Sequence, residues 1–295
     1  MNATLIIPAR DEAECIAGVI AEVRRHFTGP VIVVDNGSRD ATAAVAAAAG
    51  ASVVNEPQAG YGRACISGCA AAGTEILVFM DGDGSDDPVA IPALLAAIEG
   101  GAALALGVRR GPGVERSSIA PAARFGNWLS GSLIGLFWGH RLHDLSPFKA
   151  IRRDALESLD LREQTYGWTV EMLAKAAAQH LVIAEVQVGY RKRRAGESKV
   201  SGNLRASAVA GYRILRTIAR VALGGHMGTR FGFLSGMAIG LVLTLLFGLW
   251  LAVEGPTSTG AWVAPWLLLW PLALSTGGIG ALVASLLNRR TTRTR

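Results

Sequence analysis

Residues 231–253, FGFLSGMAIGLVLTLLFGLWLAV, and residues 261–287, AWVAPWLLLWPLALSTGGIGALVASLL, contain no charged side chain. Each exceeds the roughly 20 residues a helix needs to cross a hydrocarbon core. Neither has the polar face that a soluble helix turns to water. They predict two membrane helices joined by the short connector EGPTSTG. Arg230 precedes the first and NRRTTRTR follows the second, and such basic flanks stay on the cytoplasmic side. Both ends are therefore expected in the cytoplasm, with the hairpin facing outward. Trp250 and Trp262 suit interfacial anchoring, and Pro265 and Pro271 would kink the second span.

The rest of the chain is of another kind. The 295 residues are 51% hydrophobic and 18% charged, with mean hydropathy +0.34. That is too apolar for an ordinary soluble protein and too charged for a purely membrane one. The opening residues MNATLIIPA read as a strand without the basic flank of a secretory signal, so the large domain is expected to stay cytoplasmic. Three cysteines, Cys15, Cys65 and Cys69, fit no zinc or redox spacing and read as reduced thiols. The net charge of +6 suits anionic lipid beside two spans; no nucleic-acid motif accompanies it.

Through about residue 110, apolar runs alternate with helix-spaced segments: ATLIIPA, then DEAECIAGVIAEVRRHF, VIVVDN, ATAAVAAAAG, ASVVNE, GYGRACISGCAAAG, EILVFMD, VAIPALLAAIEG and AALALGV. This order predicts an α/β domain with a mostly parallel sheet, whose ligands bind beyond the carboxyl ends of the strands. Polar motifs stand at three of those ends: PARDEAE, DNGSRDAT and DGDGSDD. Further on, NLRASAVAGYRILRTIARVAL sets Arg205, Arg213, Arg216 and Arg220 near one helical face and apolar residues on the other, which predicts an interfacial helix leading to the membrane.

The segment FMDGDGSDDP at 79–88 is the sharpest chemical signal. A solvated turn, a calcium loop and a divalent-metal site all gather acids in this way. The calcium loop fails on spacing: counted from Asp81, position five is Ser85, six is Asp86 and twelve is Pro92. Carboxylates at i and i+2 after a buried strand repel each other without a cation, and they can share a hard ion while leaving places for phosphate oxygens. Gly82 and Gly84 would let a nucleotide approach the backbone. Asp86, Asp87 and Pro88 are expected at the start of the next helix, where its dipole favours negative charge.

The ordered set LIIPARDEAECI, VIVVDNGSRDAT, AGYGRACISGCAAA and ILVFMDGDGSDDP resembles a family 2 glycosyltransferase of the GT-A fold. The later TYGWTVEMLAKA and EVQVGYRKRRAGESKVSG, with the two spans, resemble the dolichyl- or polyprenyl-phosphate mannose or glucose synthase branch. The resemblance implies an enzyme that moves a hexose, with inversion, from a UDP- or GDP-linked sugar to polyprenyl phosphate, using Mg²⁺ or Mn²⁺. It implies that Pro8, Ala9 and Glu12 border the nucleotide, that Asp35 meets the base, and that Asp81 and Asp83 hold the metal. Arg109 and Arg124 would hold diphosphate or lipid phosphate, and Arg191, Ser198 and Lys199 would lie near the acceptor. The sequence departs from the family at Asp11, at Asn36, at Ser85–Asp86–Asp87 and at the Ser-Pro pair of DLSPFKAI. A phosphate acceptor is already ionised and needs no strong base, whereas a hydroxyl acceptor would make Glu171 a candidate base. A non-catalytic membrane-tethered scaffold is the remaining alternative; a nucleotidyltransferase lacks its glycine-rich phosphate loop here. The expected division is a transferase domain over 1–202, a juxtamembrane helix over 203–229 and the membrane hairpin with its basic tail over 230–295. Two spans are few for a lipid platform, which favours a homo-oligomer.

Overall fold

The structure, a computed structural model, describes residues 2–111, 113–115, 118–194 and 204–224. Both expected membrane spans lie outside the described residues, as do Ser198 and Lys199. Among the described residues no helix is long and apolar enough to cross a membrane.

Strands β1 (Ala3–Ala9), β2 (Val31–Asp35), β3 (Ser52–Asn55) and β4 (Ile76–Phe79) alternate with helices α1 (Ile16–Val23), α2 (Thr42–Ala48) and α3 (Tyr61–Ala71). After β4 come a single 3-10 turn (Pro88–Ala90), α4 (Ile91–Glu99), β5 (Leu104–Val108) and α5 (Pro121–Trp138). Strand β6 (Lys149–Arg152), α6 (Arg153–Ser158), α7 (Gly167–Ala178), β7 (Ile183–Gln187) and α8 (Leu204–Gly224) complete the set. The sheet order is β3-β2-β1-β4-β6-β5-β7, parallel except at β6, which runs antiparallel between β4 and β5. The apolar-run pattern predicts the parallel strands; β6, only four residues within SPFKAI, carries too short a pattern to be read as one.

Alternation along β1 explains the two cores. Ile6 joins Val34, Cys65, Phe79, Trp168 and Ile218 on one face, beneath α3, α5, α7 and α8. Leu5 and Ile7 join Ile16, Val33, Val78 and Phe148 on the other, beneath α1, α2 and α4. Register then places the chemistry: Ala9 pairs with Asp35 and Ile6 with Phe79, so the loops leaving β2, β1 and β4 open side by side.

Helix α1 starts later than its apolar spacing predicts. The amide of Glu12 donates to Thr42 Oγ1 (2.9 Å) and that of Ala13 to Asp40 Oδ2 (3.1 Å). These side chains take the amides a first helical turn would leave unpaired, and they tie PARDE to DNGSRDAT. Helix α8 packs Leu215, Ile218, Ala219 and Ala222 into the core against α5 and α7, leaving Arg213, Arg216 and Arg220 exposed. Its buried apolar residues are covered by the domain itself, and it is the arginine face that looks outward.

Helix α3 crosses the sheet closely because Gly68 lacks a side chain: a Cβ there would stand 2.4 Å from Ile6 Cγ2 and 3.0 Å from Val34 Cγ2. Gly68→Val should therefore lower unfolding free energy by about 1–3 kcal/mol through overpacking. Denaturant titration of the two proteins checks this; unchanged stability would mean that α3 does not sit where described.

Candidate active site

At the carboxyl ends of β1, β2 and β4 lies a cleft of about 350 Å³. Pro8, Ala9 and Glu12 line it from the first motif, and Asp81, Gly82 and Asp83 from the acid loop. Tyr166 and three arginines, Arg10, Arg193 and Arg213, line it as well. Residues from the first 83 positions thus meet residues from a loop and a helix more than 100 positions later.

The acids play unequal parts. Asp83 Oδ1 accepts from the Ser85 amide (2.9 Å) and hydroxyl (2.6 Å), and Oδ2 accepts from Arg193 Nε (3.3 Å). Asp86 is 1% exposed; its Oδ2 accepts from the Asp81 amide (3.1 Å), and its buried Oδ1 has no hydrogen-bond partner among the described residues. Burial, and then the charges of Asp86 and Asp83, push the Asp81 carboxyl well above the usual range, against the pull of Lys149 and Arg109. Burial and Asp83 likewise push Asp86 up to about 7. Asp87 behaves as the sequence implies, its Oδ1 accepting from Val89 N at the head of the 3-10 turn (3.2 Å). Asp86 does not: it turns inward behind Asp81, away from the helix start.

Beneath these acids lies Lys149, wholly buried on β6. Its ammonium donates to the carbonyls of Ser146 (3.2 Å) and Pro147 (3.0 Å) and to Thr169 Oγ1 (3.0 Å). It also rests 5.7 Å from the Trp168 ring centre and 6.0 Å from that of Phe79. Burial pulls it down to about 8, while Cys65, Asp81 and Asp86 hold it up. Nothing in the SPFKAI pattern marks this lysine as a countercharge, because the antiparallel strand that delivers it is not apparent there.

A short, all-oxygen donor pair suits a hard divalent cation such as Mg²⁺ or Mn²⁺. The orphaned Asp86 oxygen and the raised Asp81 carboxyl fit that assignment, since both mark a loop short of positive charge. Among the described residues no three His, Cys, Asp or Glu side chains form a ready metal cluster. Asp81 and Asp83 would hold the ion, with its remaining positions left to water or phosphate oxygens.

The other expected site residues separate. Asp35 does not line the cleft; its Oδ1 accepts from the amide and hydroxyl of Ser38. Its neighbour Asn36 does line it, and braces the loop before α3 through Glu56 O (3.1 Å), Gln58 O (2.8 Å) and Gly60 N (2.8 Å). Arg191 reaches Asp87 (2.9 Å) and Glu22 (3.5 Å), outside the cleft. Glu171 is buried; its Oε2 accepts from the amides of Arg162 (2.9 Å) and Glu163 (2.7 Å), and Lys175 pairs with it at 3.0 Å. It shapes the loop before α7 and lies outside the cleft lining.

Arg109 and Arg124 line a second cavity, of about 270 Å³, together with Arg110, Arg141 and His143. Arg109 forms a two-pronged pair with Asp144, from Nε (2.9 Å) and Nη2 (2.7 Å), and lies 4.9 Å over the Tyr190 ring. Burial opposes its charge, but the Asp144 pair prevails and holds it above the usual range. Asn127 Nδ2 donates to the same carboxylate (2.6 Å). Phe125 and Trp128, their ring centres 5.8 Å apart, stand exposed on α5 nearby.

The fold and acid loop define a nucleotide-sugar-type α/β transferase domain, and residues 4–160 match the profile described as glycosyl transferase family 2. The chain belongs to that family and is a glycosyltransferase. An uncharacterised glycosyltransferase of Mycobacterium bovis is 38% identical over 70% of this chain and 93% of its own length. The undecaprenyl-phosphate mannosyltransferase of Micrococcus luteus is 32% identical over 71% and 91%. Glucosyl-3-phosphoglycerate synthase of Mycobacterium tuberculosis, solved with Mn²⁺, UDP and glucosyl-3-phosphoglycerate, superposes with TM-score 0.60 at 25% identity over 74% and 80% of the two chains. Relatives named for polyprenyl- or dolichyl-phosphate sugar transfer support the branch that the motifs resemble.

The acid loop makes stability depend on pH. Between about pH 4 and 7, Asp86 keeps its proton in the fold but would lose it in the unfolded chain. Its contribution to stability therefore falls as pH rises through that window. In a chelator-containing buffer, Asp86→Asn should gain melting temperature relative to wild type between pH 5 and pH 8. Parallel curves for the two proteins would remove the assigned shift.

Proposed function

We propose that this chain transfers a hexose from a UDP- or GDP-linked sugar to polyprenyl phosphate at the cytoplasmic face of a membrane, with Mg²⁺ or Mn²⁺ bound at Asp81 and Asp83. The observation that carries the reading is the pairing of an acid-floored cleft with a separate arginine-lined cavity, which suits two phosphorylated substrates of different kinds. The Mn²⁺ and UDP in the solved relative, and the polyprenyl-phosphate substrates in relatives' names, support it.

The donor diphosphate would lie over the acid loop, where the metal offsets the charge that builds on the leaving nucleotide. Tyr166, 45% exposed and parallel to Tyr61 at 6.3 Å, offers the cleft an aromatic face for the base or sugar. Arg10 and Arg213 line the same cleft and would screen the phosphates from Asp81 and Glu12. The acceptor phosphate would enter the second cavity on Arg110, Arg124 and Arg141, with Phe125 and Trp128 beside its lipid tail. Arg109, fixed by Asp144, stands between the two sites in electrostatic terms: it borders the second cavity and pulls on Asp81 and Asp86. An ionised phosphate attacks without surrendering a proton, and Glu171 is too fully engaged by amides and Lys175 to serve as base. The spans at 231–253 and 261–287 would hold the domain at the lipid surface, and self-association would pool them.

Purified enzyme incubated with polyprenyl phosphate, Mn²⁺ and a panel of nucleotide sugars should yield one lipid-linked hexose, and Asp83→Ala should lower the rate about 10²-fold or more. Transfer only to a soluble hydroxyl acceptor would reject the lipid-phosphate reading. Arg124→Ala and Arg141→Ala should each raise KM for polyprenyl phosphate about tenfold, the worth of one charged hydrogen bond. Donor KM should stay unchanged in both; a rise in donor KM instead would exchange the roles of the two cavities.

A further inference from the structure

Residues 189–194, directly after β7, lie as a strap across the acid loop. The Arg191 amide donates to Ser85 O (2.8 Å), the Arg194 amide to Asp83 O (3.1 Å), and Tyr190 bridges to Asp86. Gly84, at φ +76°, makes room for it: a Cβ there would stand 2.7 Å from Arg194 Cδ. The strap's arginines divide their partners. Arg191 goes to Asp87 and Glu22, and Arg194 goes to Glu22 at 2.5 Å. Burial pushes the Glu22 carboxyl up, yet Arg194, Arg191 and Arg25 outweigh it and hold it below the usual range. Only the side chain of Arg193 enters the cleft, where Nη2 pairs with Glu12 and Nε with Asp83.

We propose that Arg193 is the resident counter-ion of the metal seat: the incoming cation displaces it from Asp83, and it then closes on the donor diphosphate. Asp83 Oδ1 is already taken by Ser85, so Oδ2 is the oxygen that a cation gains by replacing Arg193. A guanidinium and a dication on one carboxylate oxygen repel each other in a partly desolvated cleft, so the cation competes with the Arg193 contact. Once displaced, Arg193 remains in the cleft beside Tyr166, Arg10 and Arg213, and its planar fork matches phosphate oxygens. Metal alone must work against Arg193, whereas metal bearing a diphosphate supplies it with a new partner. Metal and nucleotide therefore bind with positive coupling, and linkage makes the coupling reciprocal. The displacement needs only the cation; the closure on diphosphate rests on the nucleotide-sugar reading above.

The test is Mn²⁺ binding to the full chain in detergent, followed by the electron paramagnetic resonance of free Mn²⁺, with and without UDP or GDP. Wild type should bind Mn²⁺ weakly alone and tightly with its nucleotide. Arg193→Ala should bind Mn²⁺ alone about fivefold more tightly and the nucleotide, at saturating Mn²⁺, about tenfold more weakly. Mn²⁺ should also raise the melting temperature of Arg193→Ala more than that of wild type, which reads the same exchange in folded protein. Asp83→Asn should abolish the tight site in both backgrounds. Unchanged or weaker Mn²⁺ binding by Arg193→Ala in the absence of nucleotide would overturn the proposal. Tighter Mn²⁺ binding without any UDP or GDP effect would keep the displacement and reject the diphosphate closure together with the donor reading.

Discussion

Three carboxyl groups crowd the end of β4, and the site depends on how their mutual repulsion is met. Asp86 is fully buried and Asp81 is half-buried at the cleft wall, and like charges so placed are tolerated only if protons or cations neutralise them. From below, β6 brings Lys149 under the cluster; from the side, Arg109 contributes while anchored to Asp144. From above, Arg193 covers the solvent-facing oxygen of Asp83. The single antiparallel strand is thus more than a variation in topology. It sets Lys149 beside Phe79 at the end of β4, where its ammonium bears on Asp81 and Asp86.

Much of this is legible in the sequence. The apolar runs of β1, β2 and β4 and the polar motifs after them predict three strand ends at one crevice, and register puts them side by side. Pro8, Ala9, Glu12, Asp81 and Asp83 converge as the motifs imply, because each lies within a few residues of a strand end. What escaped is long-range. Arg193 and Arg213 reach the cleft only once β7 and α8 are placed, and a basic run reads equally well as a solvated face. Asp86 looks like a helix-start acid by its spacing to Pro88, yet the tight turn at Gly84 rotates it inward. Asp35 sits differently from its neighbour: its carboxylate accepts from Ser38 in a local turn, and it is Asn36 that lines the cleft.

The division between two cavities gives the family chemistry a particular form here. Acids and three arginines share the acid-loop cleft, so charge there is nearly self-compensated before a ligand arrives. The second cavity carries four arginines, of which Arg109 is held by Asp144; the others leave it strongly attractive to an anion. Helix α8 ties these features to the proposed membrane attachment. Its buried face locks onto α5 and α7, Arg220 pairs with Glu163 (3.1 Å), and Arg213 lines the acid-loop cleft. The helix that leads toward residues 231–253 is therefore part of the site's wall, and removing it to obtain a soluble domain would open the cleft.

The acid loop after β4 is proposed to seat a metal–diphosphate. Its most direct measurement is anomalous diffraction from crystals grown with Mn²⁺ and a nucleoside diphosphate. One manganese peak is expected about 2.1 Å from an Asp83 carboxylate oxygen, with a diphosphate oxygen on the same ion and Arg193 no longer on Asp83. A nucleotide seated in the cleft without metal at Asp81 and Asp83, or manganese bound elsewhere in the domain, would contradict it.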